Sequence, residues 1–518
     1  MNLGDKVLIL DFGSQFTQLI ARKIREIGVY AQIAPYFITK QDCRKMNPKA
    51  IILSGGPESV NDESSPEIPD FIFSLKVPIL GICYGQQALC KRFGGKVEKA
   101  DKKEFGKAQL KIIKNTPLFE NLWEVGKSYQ VWMSHGDHIV KLPLGFDTIA
   151  SSDNAPFAFI MNENNKIYAV QFHPEVVHTP QGKGLLRNFV IKIAKCNLSW
   201  KMSSFLTKEI SDIKQKLGNN KVVCGISGGI DSSVVAAFIS RAVGKNLYCV
   251  FVDNGLLRKN EAKEVEENLR KYFDFNLIHV NARSVFLTAL KGITDPEKKR
   301  KIIGKIFIDV FYQEIQKIGD VKYLAQGTIY PDVIESLSTA SGKETTIKSH
   351  HNVGGLPENI YNLKLIEPIR LLFKDEVRVL AKELNIPDII VKRHPFPGPG
   401  LAIRIIDEVT EEKCALLREL DAIFIEELKE SGLYNKVWQA YAALLPVKNV
   451  GVMGDARTYH NTCVLRAVTS SDGMTADFVH LPYDFLSNVA RRIVNEVHGV
   501  SRIFYDITSK PPATIELE

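Results

Sequence analysis

The chain has 518 residues, which is too long for one hydrophobic core and predicts about three to four domains. Its 45% hydrophobic and 24% charged residues are typical of an ordinary soluble globular protein. The net charge of +8 is spread over 67 basic and 59 acidic residues without a clustered basic face. We therefore expect no nucleic-acid partner, whereas small anionic substrates such as nucleotides fit this charge.

Composition also predicts a cytoplasmic protein without a membrane segment. No apolar run approaches the ~18 residues of a membrane span, and the N-terminal residues lack the features of a signal peptide. The eight cysteines form no C-x-x-C pair, so we expect reduced thiols and no zinc. No G-x-G-x-x-G opens a helix, and NAD is therefore not expected.

Strand-like and helix-like segments alternate along the first 195 residues. KVLILDFG at 6–13 predicts a strand, and SQFTQLIARKIREIG at 14–28 predicts an amphipathic helix. The later apolar runs AIILSGGP, VPILGICYG and IYAVQFHPE end in polar or glycine-rich turns. This alternation is typical of an α/β fold with a mainly parallel sheet.

The pattern breaks at 194–205 and then restarts. The segments LTKEISDIKQKLG, KVVCGI, SSVVAAFISRAVG, NLYCVFVDNG and RKNEAKEVEENLRKYF again alternate helix and strand. A second break is RHPFPGPG, followed by a long predicted helix around 409–431 and short strands. We predict two consecutive α/β domains with mainly parallel sheets and a smaller α+β domain. Their predicted ranges are 1–195, 205–394 and 395–518.

The turn GICYG, 81–85, holds Cys83 between a predicted strand and a predicted helix. Such a turn projects its side chain into the crevice at the carboxyl ends of the strands, and the helix N-terminus favours a thiolate. His173 and Glu175 of QFHPE supply a base and a group to orient it, and SGGP at 54–57 offers backbone N–H groups for an oxyanion. The alternative is a buried core thiol and a structural histidine.

GICYGQQ, HPE and SGGP, in this spacing, resemble the class I glutamine amidotransferase family across nearly all of residues 1–195. The resemblance implies that Cys83 attacks the side-chain amide of glutamine, that ammonia leaves, and that water clears the thioester. His173 and Glu175 then complete a catalytic triad. Further site residues implied by the resemblance are the oxyanion donors Gly56 and Tyr84 and the glutamine contacts Gln87, Ser134 and His135, the last two in the SHGD loop.

A second glycine-rich turn, SGGIDSS at 227–233, also follows a predicted strand. Its backbone N–H groups, its hydroxyls and the following helix N-terminus suit a phosphate chain, although it is not a Walker A loop. Asp231 would repel a bare phosphate, which predicts a bridging Mg²⁺. The alternative is a glycine-rich turn with a serine N-cap. The candidate phosphate contacts are Ser227, Gly228, Gly229, Ser232 and Ser233.

S-G-G-x-D-S after a strand resembles the pyrophosphate-binding loop of the ATP pyrophosphatases, which have an adenine nucleotide α-hydrolase-like fold. The resemblance implies cleavage of ATP between its α and β phosphates to leave an adenylated substrate. It implies an adenosine contact in VFVDNGLLR, at Val252. AQGTIYPDVIES contributes Asp332 and Glu335, which with Asp231 are the candidate ligands of Mg²⁺.

Three further segments, GKETTIKSHHNVGGLP, HPFPGPGLAIR and DITSKPPATIE, extend the resemblance over essentially the whole chain. They resemble the glutamine-hydrolysing GMP synthetase family. This implies that xanthosine 5′-monophosphate (XMP) is adenylated on its 2-oxygen and then aminated to GMP, with release of AMP and pyrophosphate. It also implies a homodimer formed through the third domain.

The resemblance also assigns residues in these segments. The implied lid that closes over the nucleotides contains Lys348, His350, His351 and Asn352. The implied XMP contacts are Arg404 and Lys510 for the phosphate, together with Ile515 and Glu516, the glutamate for the purine. The alternatives for these residues are a solvated loop and a basic surface.

Two other functions remain open on the sequence alone. S-G-G-x-D-S loops also serve enzymes that adenylate RNA, and activity on free XMP with glutamine would separate the two. A nucleotide sensor without turnover is the other alternative, and steady release of pyrophosphate would exclude it.

Overall fold

The computed structural model describes residues 4–334, 363–453, 456–470 and 475–518. The chain divides into two compact units, Met1–Phe205 and Leu206–Glu518. Both combine helices with β-sheets, so the predicted α/β class with mainly parallel sheets is confirmed. Within the described ranges, no helix is long and apolar enough to cross a membrane.

The first unit is built on a nine-stranded sheet. Its strands are β1 (Lys6–Asp11), β2 (Tyr30–Pro35), β3 (Ala50–Leu53), β4 (Ile79–Ile82), β5 (Lys96–Ile112), β6 (Ser128–Lys141), β7 (Asp147–Ser151), β8 (Phe159–Asn162) and β9 (Ile167–Val170). The order is β2-β1-β3-β4-β9-β8-β7-β5-β6. The first five strands in this order, from β2 to β9, are parallel to one another, and β8, β7, β5 and β6 extend the sheet with antiparallel pairs.

Helices cover the parallel part of this sheet. They are α1 (Thr17–Ile27), α2 (Lys40–Met46), α3 (Phe71–Ser74), α4 (Tyr84–Arg92) and α5 (Gly182–Asn188), with a 3-10 turn at Pro117–Phe119 and a π-helical turn at Phe189–Ile193. The interior of β1 is buried throughout, which explains why its sequence is continuously apolar instead of alternating. The amphipathic α1 ends at Gly28, whose φ of 103° closes the helix in the left-handed conformation.

The second unit contains a five-stranded, fully parallel sheet in the order β12-β11-β10-β13-β14. Its strands are β10 (Lys221–Gly225), β11 (Leu247–Asp253), β12 (Asn276–Asn281), β13 (Val321–Ala325) and β14 (Lys364–Ile366). The strand order reverses between β10 and β13. In open parallel sheets, the ligand crevice lies at the carboxyl ends of the strands at such a reversal.

The helices around this sheet match the predicted alternation. They are α6 (Met202–Leu217), α7 (Ile230–Val243), α8 (Glu261–Tyr272), α9 (Arg283–Leu290), α10 (Pro296–Ile318), α11 (Lys374–Glu383) and α12 (Asp388–Val391), with a 3-10 turn at Gly244–Asn246. The first of these begins four residues before the predicted start at 206. The predicted strand-turn-helix unit around SGGIDSS is present as β10 and α7.

A four-stranded sheet completes the second unit. Its strands are β15 (Gln439–Met453), β16 (Ala456–Thr469), β17 (Asp477–Phe478) and β18 (Val500–Tyr505), and its helices are α13 (Glu411–Glu430) and α14 (Tyr483–Glu496), with 3-10 turns at Gly400–Arg404 and Tyr434–Lys436. One hydrophobic core runs from Val223 of β10 through Leu401 to Leu465 of β16. The predicted boundary near 394 lies within the range of this core, and the division into three domains stays a prediction.

Candidate active sites

Cys83 lies on the sharp turn between β4 and α4. Its backbone has φ 53° and ψ −107°, a conformation that is strained for a residue with a side chain and that recurs at nucleophile turns. A Cβ on Gly85 would lie 2.5 Å from the carbonyl oxygen of Leu53, and one on Gly81 would lie 2.7 Å from the oxygen of Gly85. Only glycine at these positions allows α4 to approach the strands and present the thiol.

His173 and Glu175 follow β9, the neighbour of β4. Their side chains are almost completely buried, and Nδ1 of His173 lies 2.7 Å from Oε1 of Glu175. Burial by itself lowers the pKa of His173, but the Glu175 carboxylate and a hydrogen bond with Cys83 outweigh it and raise this pKa to about 10. The imidazole is therefore protonated at neutral pH and places a positive charge beside the Cys83 side chain. The structure brings all three candidate triad residues together.

The candidate oxyanion donors are neighbours, because a Cβ on Gly56 would lie 3.2 Å from Cγ of Tyr84, the residue after Cys83. The N–H groups of Cys83 and Gly85 bond to Val170 and Ser54, whereas those of Gly56 and Tyr84 have no acceptor among the described residues. A Cβ on Gly56 would lie 2.7 Å from the carbonyl oxygen of Phe12. Two free N–H groups next to a nucleophile are what a developing oxyanion requires.

The SHGD segment was predicted to be a loop, and this prediction is wrong. Residues 134–137 lie inside β6, where Ser134, His135 and Asp137 pair with β5 in an antiparallel ladder. The Cys83 thiol donates to the carbonyl oxygen of Ser134 at 3.6 Å. His135 contacts Glu104 (Nε2 to Oε2, 3.2 Å), and Gln87 donates to the carbonyl oxygen of Asp137 at 2.9 Å.

One residue in contact with the nucleophile was missed. Nε2 of Gln171 lies 3.7 Å from Sγ of Cys83, and its Oε1 accepts from Gln87 at 3.2 Å. The only available signal was its position at the start of QFHPE. Gln87 and Gln171 thus hold each other beside the thiol, so neither amide is free of protein contacts in this structure.

The SGGIDSS turn follows β10, where the strand order of the second sheet reverses, and is held by hydrogen bonds between its own residues. Ser232 Oγ accepts from the N–H of Ser227 at 3.2 Å and donates to the carbonyl oxygen of Gly229 at 3.2 Å. Gly228 has φ 74°, which favours glycine. Ser233 is fully buried, and within the described part of the chain its hydroxyl has no partner. Val252 packs in the hydrophobic core.

Asp231 faces the segment that follows β13. A Cβ on Gly327 would lie 3.6 Å from the Cβ of Asp231, so the two crevice loops touch. Oδ2 of Asp231 forms an ion pair with Lys374, and Oδ1 is buried without a hydrogen bond in the described ranges. Such an orphaned carboxylate oxygen fits a hard cation such as Mg²⁺.

The structure gives less support for the other two candidate ligands of Mg²⁺. Oδ2 of Asp332 accepts the N–H of Ile329 at 3.0 Å, and Glu335 lies outside the described residues. Among those described, no three His, Cys, Asp or Glu side chains form a group that could hold a metal ion. The described residues thus offer Asp231 as the start of a metal site and not a complete protein cage.

Two cations at the phosphate loop were missed by sequence reasoning. Lys374 begins α11, and nothing in its local sequence marked it. Arg393 stands at the start of RHPFPGPG; it donates to the carbonyl oxygen of Gly228 at 3.4 Å and pairs with Glu261. Burial lowers the pKa of Arg393 to about 10, which leaves the group charged at neutral pH.

Arg404 and Glu516 form the centre of the candidate XMP site. Nε and Nη2 of the fully buried Arg404 donate to the Glu516 carboxylate at 3.0 and 2.9 Å, and Nη1 has no partner in the described ranges. The carbonyl oxygen of Ile515 accepts from the hydroxyl of Tyr441 at 2.8 Å. The backbone of Lys510 pairs with Ala476. The C-terminal segment is therefore docked.

The candidate lid residues Lys348, His350, His351 and Asn352 lie outside the described residues. Their roles stay predictions.

Comparison with known proteins gives three family models along the chain. The family model for glutamine amidotransferase class I matches residues 8–193, that for NAD synthase matches 201–301, and that for the C-terminal domain of GMP synthase matches 426–517. A glutamine-hydrolysing GMP synthase of Bartonella henselae is 57% identical over 515 residues, which cover 99% of each chain. One of Zymomonas mobilis is 56% identical over 517 residues, covering 100% of this chain and 98% of the relative. A crystal structure of a Thermotoga maritima glutamine amidotransferase is 18% identical, with a TM-score of 0.30, and covers 37% of this chain and 99% of that one.

Proposed function

The chain belongs to the family of glutamine-hydrolysing GMP synthases, and we propose how its own residues divide the reaction. It makes GMP with ammonia from glutamine, and its other substrates are XMP and ATP. The first unit would release the ammonia and the second would consume it.

We assign glutamine hydrolysis to Cys83, His173 and Glu175. The thiolate attacks the amide carbon, and the N–H groups of Gly56 and Tyr84 stabilise the oxyanion. The imidazolium of His173 gives its proton to the leaving ammonia, and the neutral ring then takes a proton from the water that hydrolyses the thioester. The 2.7 Å contact between His173 and Glu175 supports this assignment, because it fixes which ring nitrogen faces the thiol.

We assign adenylation to the crevice between β10 and β13. The 2-oxygen of XMP attacks the α-phosphorus of ATP, pyrophosphate leaves, and ammonia then displaces AMP from C2. The N–H groups and hydroxyls of the SGGIDSS turn would hold the departing pyrophosphate. Asp231 would hold Mg²⁺, with Asp332 and Glu335 as the other candidate ligands, and the ion would supply charge neutralisation for the phosphates.

Lys374 would act on the same phosphates. Its ion pair with Asp231 holds an ammonium group at the phosphate loop. The SGGIDSS turn would hold the phosphates of ATP within the same crevice, where this ammonium can pair with a phosphate oxygen. We therefore propose that Lys374 is a phosphate contact of ATP in addition to its pairing with Asp231. Val252 stays the proposed contact for the adenosine of ATP.

We place XMP at Arg404, Glu516 and Lys510. Two of the three guanidinium nitrogens of Arg404 are occupied by Glu516, so this arginine would orient the purine-binding carboxylate and offer only Nη1 to the nucleotide. Lys510 then becomes the main phosphate contact, and Ile515 shapes the site through its backbone. The fully buried cation, whose Nη1 has no hydrogen-bond partner among the described residues, is the observation that supports a ligand here.

The remaining proposals concern assembly and location. We propose a homodimer, and the exposed apolar side chains on the β15–β16 ribbon support it: Val452 is 73% and Tyr459 62% exposed. A cytoplasmic location, the three-domain division and closure of a lid with Lys348, His350, His351 and Asn352 stay proposals as well.

An assay with XMP, ATP, Mg²⁺ and glutamine that follows all products tests the assignment. We expect GMP, AMP, pyrophosphate and glutamate in equal amounts. Pyrophosphate release without GMP, or dependence on added RNA, would favour an RNA-adenylating enzyme. Binding of the nucleotides without turnover would favour a sensor.

A further inference from the structure

Lys299 is a fully buried lysine in α10 with three acceptors around its ammonium group. Its side chain has 0% exposure. Nζ donates to the carbonyl oxygens of Ala402 and Ile405 at 3.1 and 2.7 Å and to Oε2 of Glu518 at 2.7 Å. Each of the three N–H groups of the ammonium can thus have a partner.

These three partners belong to the two halves of the candidate XMP site. Ala402 and Ile405 flank Arg404, in and directly after the 3-10 turn Gly400–Arg404. Glu518 lies two residues after Glu516, which accepts both hydrogen bonds from Arg404. Lys299 therefore ties the segment that carries the guanidinium to the segment that carries its carboxylate.

The chemistry of Lys299 indicates positioning more than simple packing. A buried ammonium costs free energy unless it is well paired, and an apolar side chain of similar size would fill the same space at a lower cost. Burial raises the pKa of the Glu518 carboxyl, and the hydrogen bond and charge of Lys299 partly offset this. What the ammonium adds over an apolar residue is direction, because it fixes two carbonyls and one carboxylate relative to each other.

We propose that Lys299 is a positioning residue of the XMP site, which sets the geometry of the Arg404–Glu516 pair without touching the nucleotide. This rests on the proposed assignment of XMP to Arg404 and Glu516. Without the ammonium, the two segments can shift relative to each other, and a shift of about 1 Å at such a site costs up to ~100-fold in rate. ATP and glutamine do not depend on this pair.

The test uses Lys299→Met in the full chain, with XMP and ATP titrated separately and ammonia as the nitrogen source. We expect the KM for XMP to rise about 10- to 100-fold, because a misplaced Arg404–Glu516 pair weakens a charge-assisted hydrogen bond to XMP, while the KM for ATP changes less than about 2-fold. Lys301→Met is the matched control, because Lys301 is exposed on the same helix, and it should leave both values unchanged. An unchanged KM for XMP, or an equal loss for XMP and ATP, overturns the proposal.

A second variant keeps the test decisive if Lys299→Met does not fold. Glu518→Gln retains an acceptor but removes the charge, and we expect a smaller, selective rise in the KM for XMP of about 3-fold or more. No rise in this variant overturns the proposal. Arg404→Lys distinguishes failure of the XMP assignment from failure of the role of Lys299. If Arg404→Lys binds XMP normally, the assignment of XMP to this site is wrong. If Arg404→Lys loses XMP binding but Lys299→Met keeps it, only the role of Lys299 is refuted.

Discussion

Nδ1 of His173 lies 2.7 Å from Oε1 of Glu175, and both side chains are almost completely buried. Within the described ranges the second carboxylate oxygen of Glu175 has no hydrogen bond. Among the described residues the carboxylate therefore hydrogen-bonds only to the imidazole of His173, and its charge raises the pKa of that group. This pairing determines the charge next to the Cys83 thiol and is the first target for a test.

Glu175→Gln should shift the pH dependence of glutamine hydrolysis. The raised pKa keeps His173 protonated up to about pH 10. The contribution of its ion pair with Glu175 to the free energy of unfolding is therefore complete below about pH 6.5 and is lost as the pH rises through about 10. Removing the carboxylate lowers this pKa, so the upper limb of the pH profile of kcat/KM for glutamine should move to lower pH, and kcat should fall about 100-fold or more. The ammonia-dependent reaction serves as the control. An upper limb that stays in place would contradict the role of Glu175.

Replacement of the nucleophile should separate activity from stability. Cys83→Ala should abolish GMP formation from glutamine but leave synthesis from added ammonia largely intact. Cys83→Gly should lose the same activity yet be more stable than Cys83→Ala by about 1 kcal/mol or more, because glycine relieves the strain at φ 53°. Thermal unfolding of the two variants measures this difference. Equal stability would mean that the turn stores no strain.

Sequence patterns predicted those features of the two sites that depend on residues close together in the chain. The turns at Cys83 and SGGIDSS, and the strands before them, follow from runs of apolar residues and glycines within a few positions. The ion pair between Asp231 and Lys374 joins residues 143 positions apart, and no local pattern encodes such a contact. The assignment of SHGD to a loop came with the family resemblance and is wrong for a related reason: His135 pairs with Glu104 of β5, 31 positions away, and such a pairing is not visible in the four residues themselves.

Asp231→Asn should suppress pyrophosphate release with either nitrogen source. The change removes the charge that pairs with Lys374 and that would hold Mg²⁺. Exchange of labelled pyrophosphate into ATP is the measurement, and glutamine hydrolysis in the first unit is the internal control. Asp388→Asn removes an exposed ion pair with Lys392 and should exchange at the parent rate. Normal exchange in Asp231→Asn would remove this carboxylate from the mechanism.

Lys510→Ala should weaken the binding of XMP and little else. The backbone of Lys510 exchanges hydrogen bonds with Ala476 at 2.8 and 3.1 Å, and alanine can keep both when the ammonium is removed. If this ammonium contacts the phosphate of XMP, we expect a loss of about 1.5–3 kcal/mol, the range of a charge-assisted hydrogen bond. Calorimetric titration with XMP and with ATP measures the two affinities separately. Lys436→Ala, which alters an exposed lysine of the same unit, is the control and should bind XMP normally. If Lys510→Ala also binds XMP normally, Lys510 has only the structural role of a docked terminal segment.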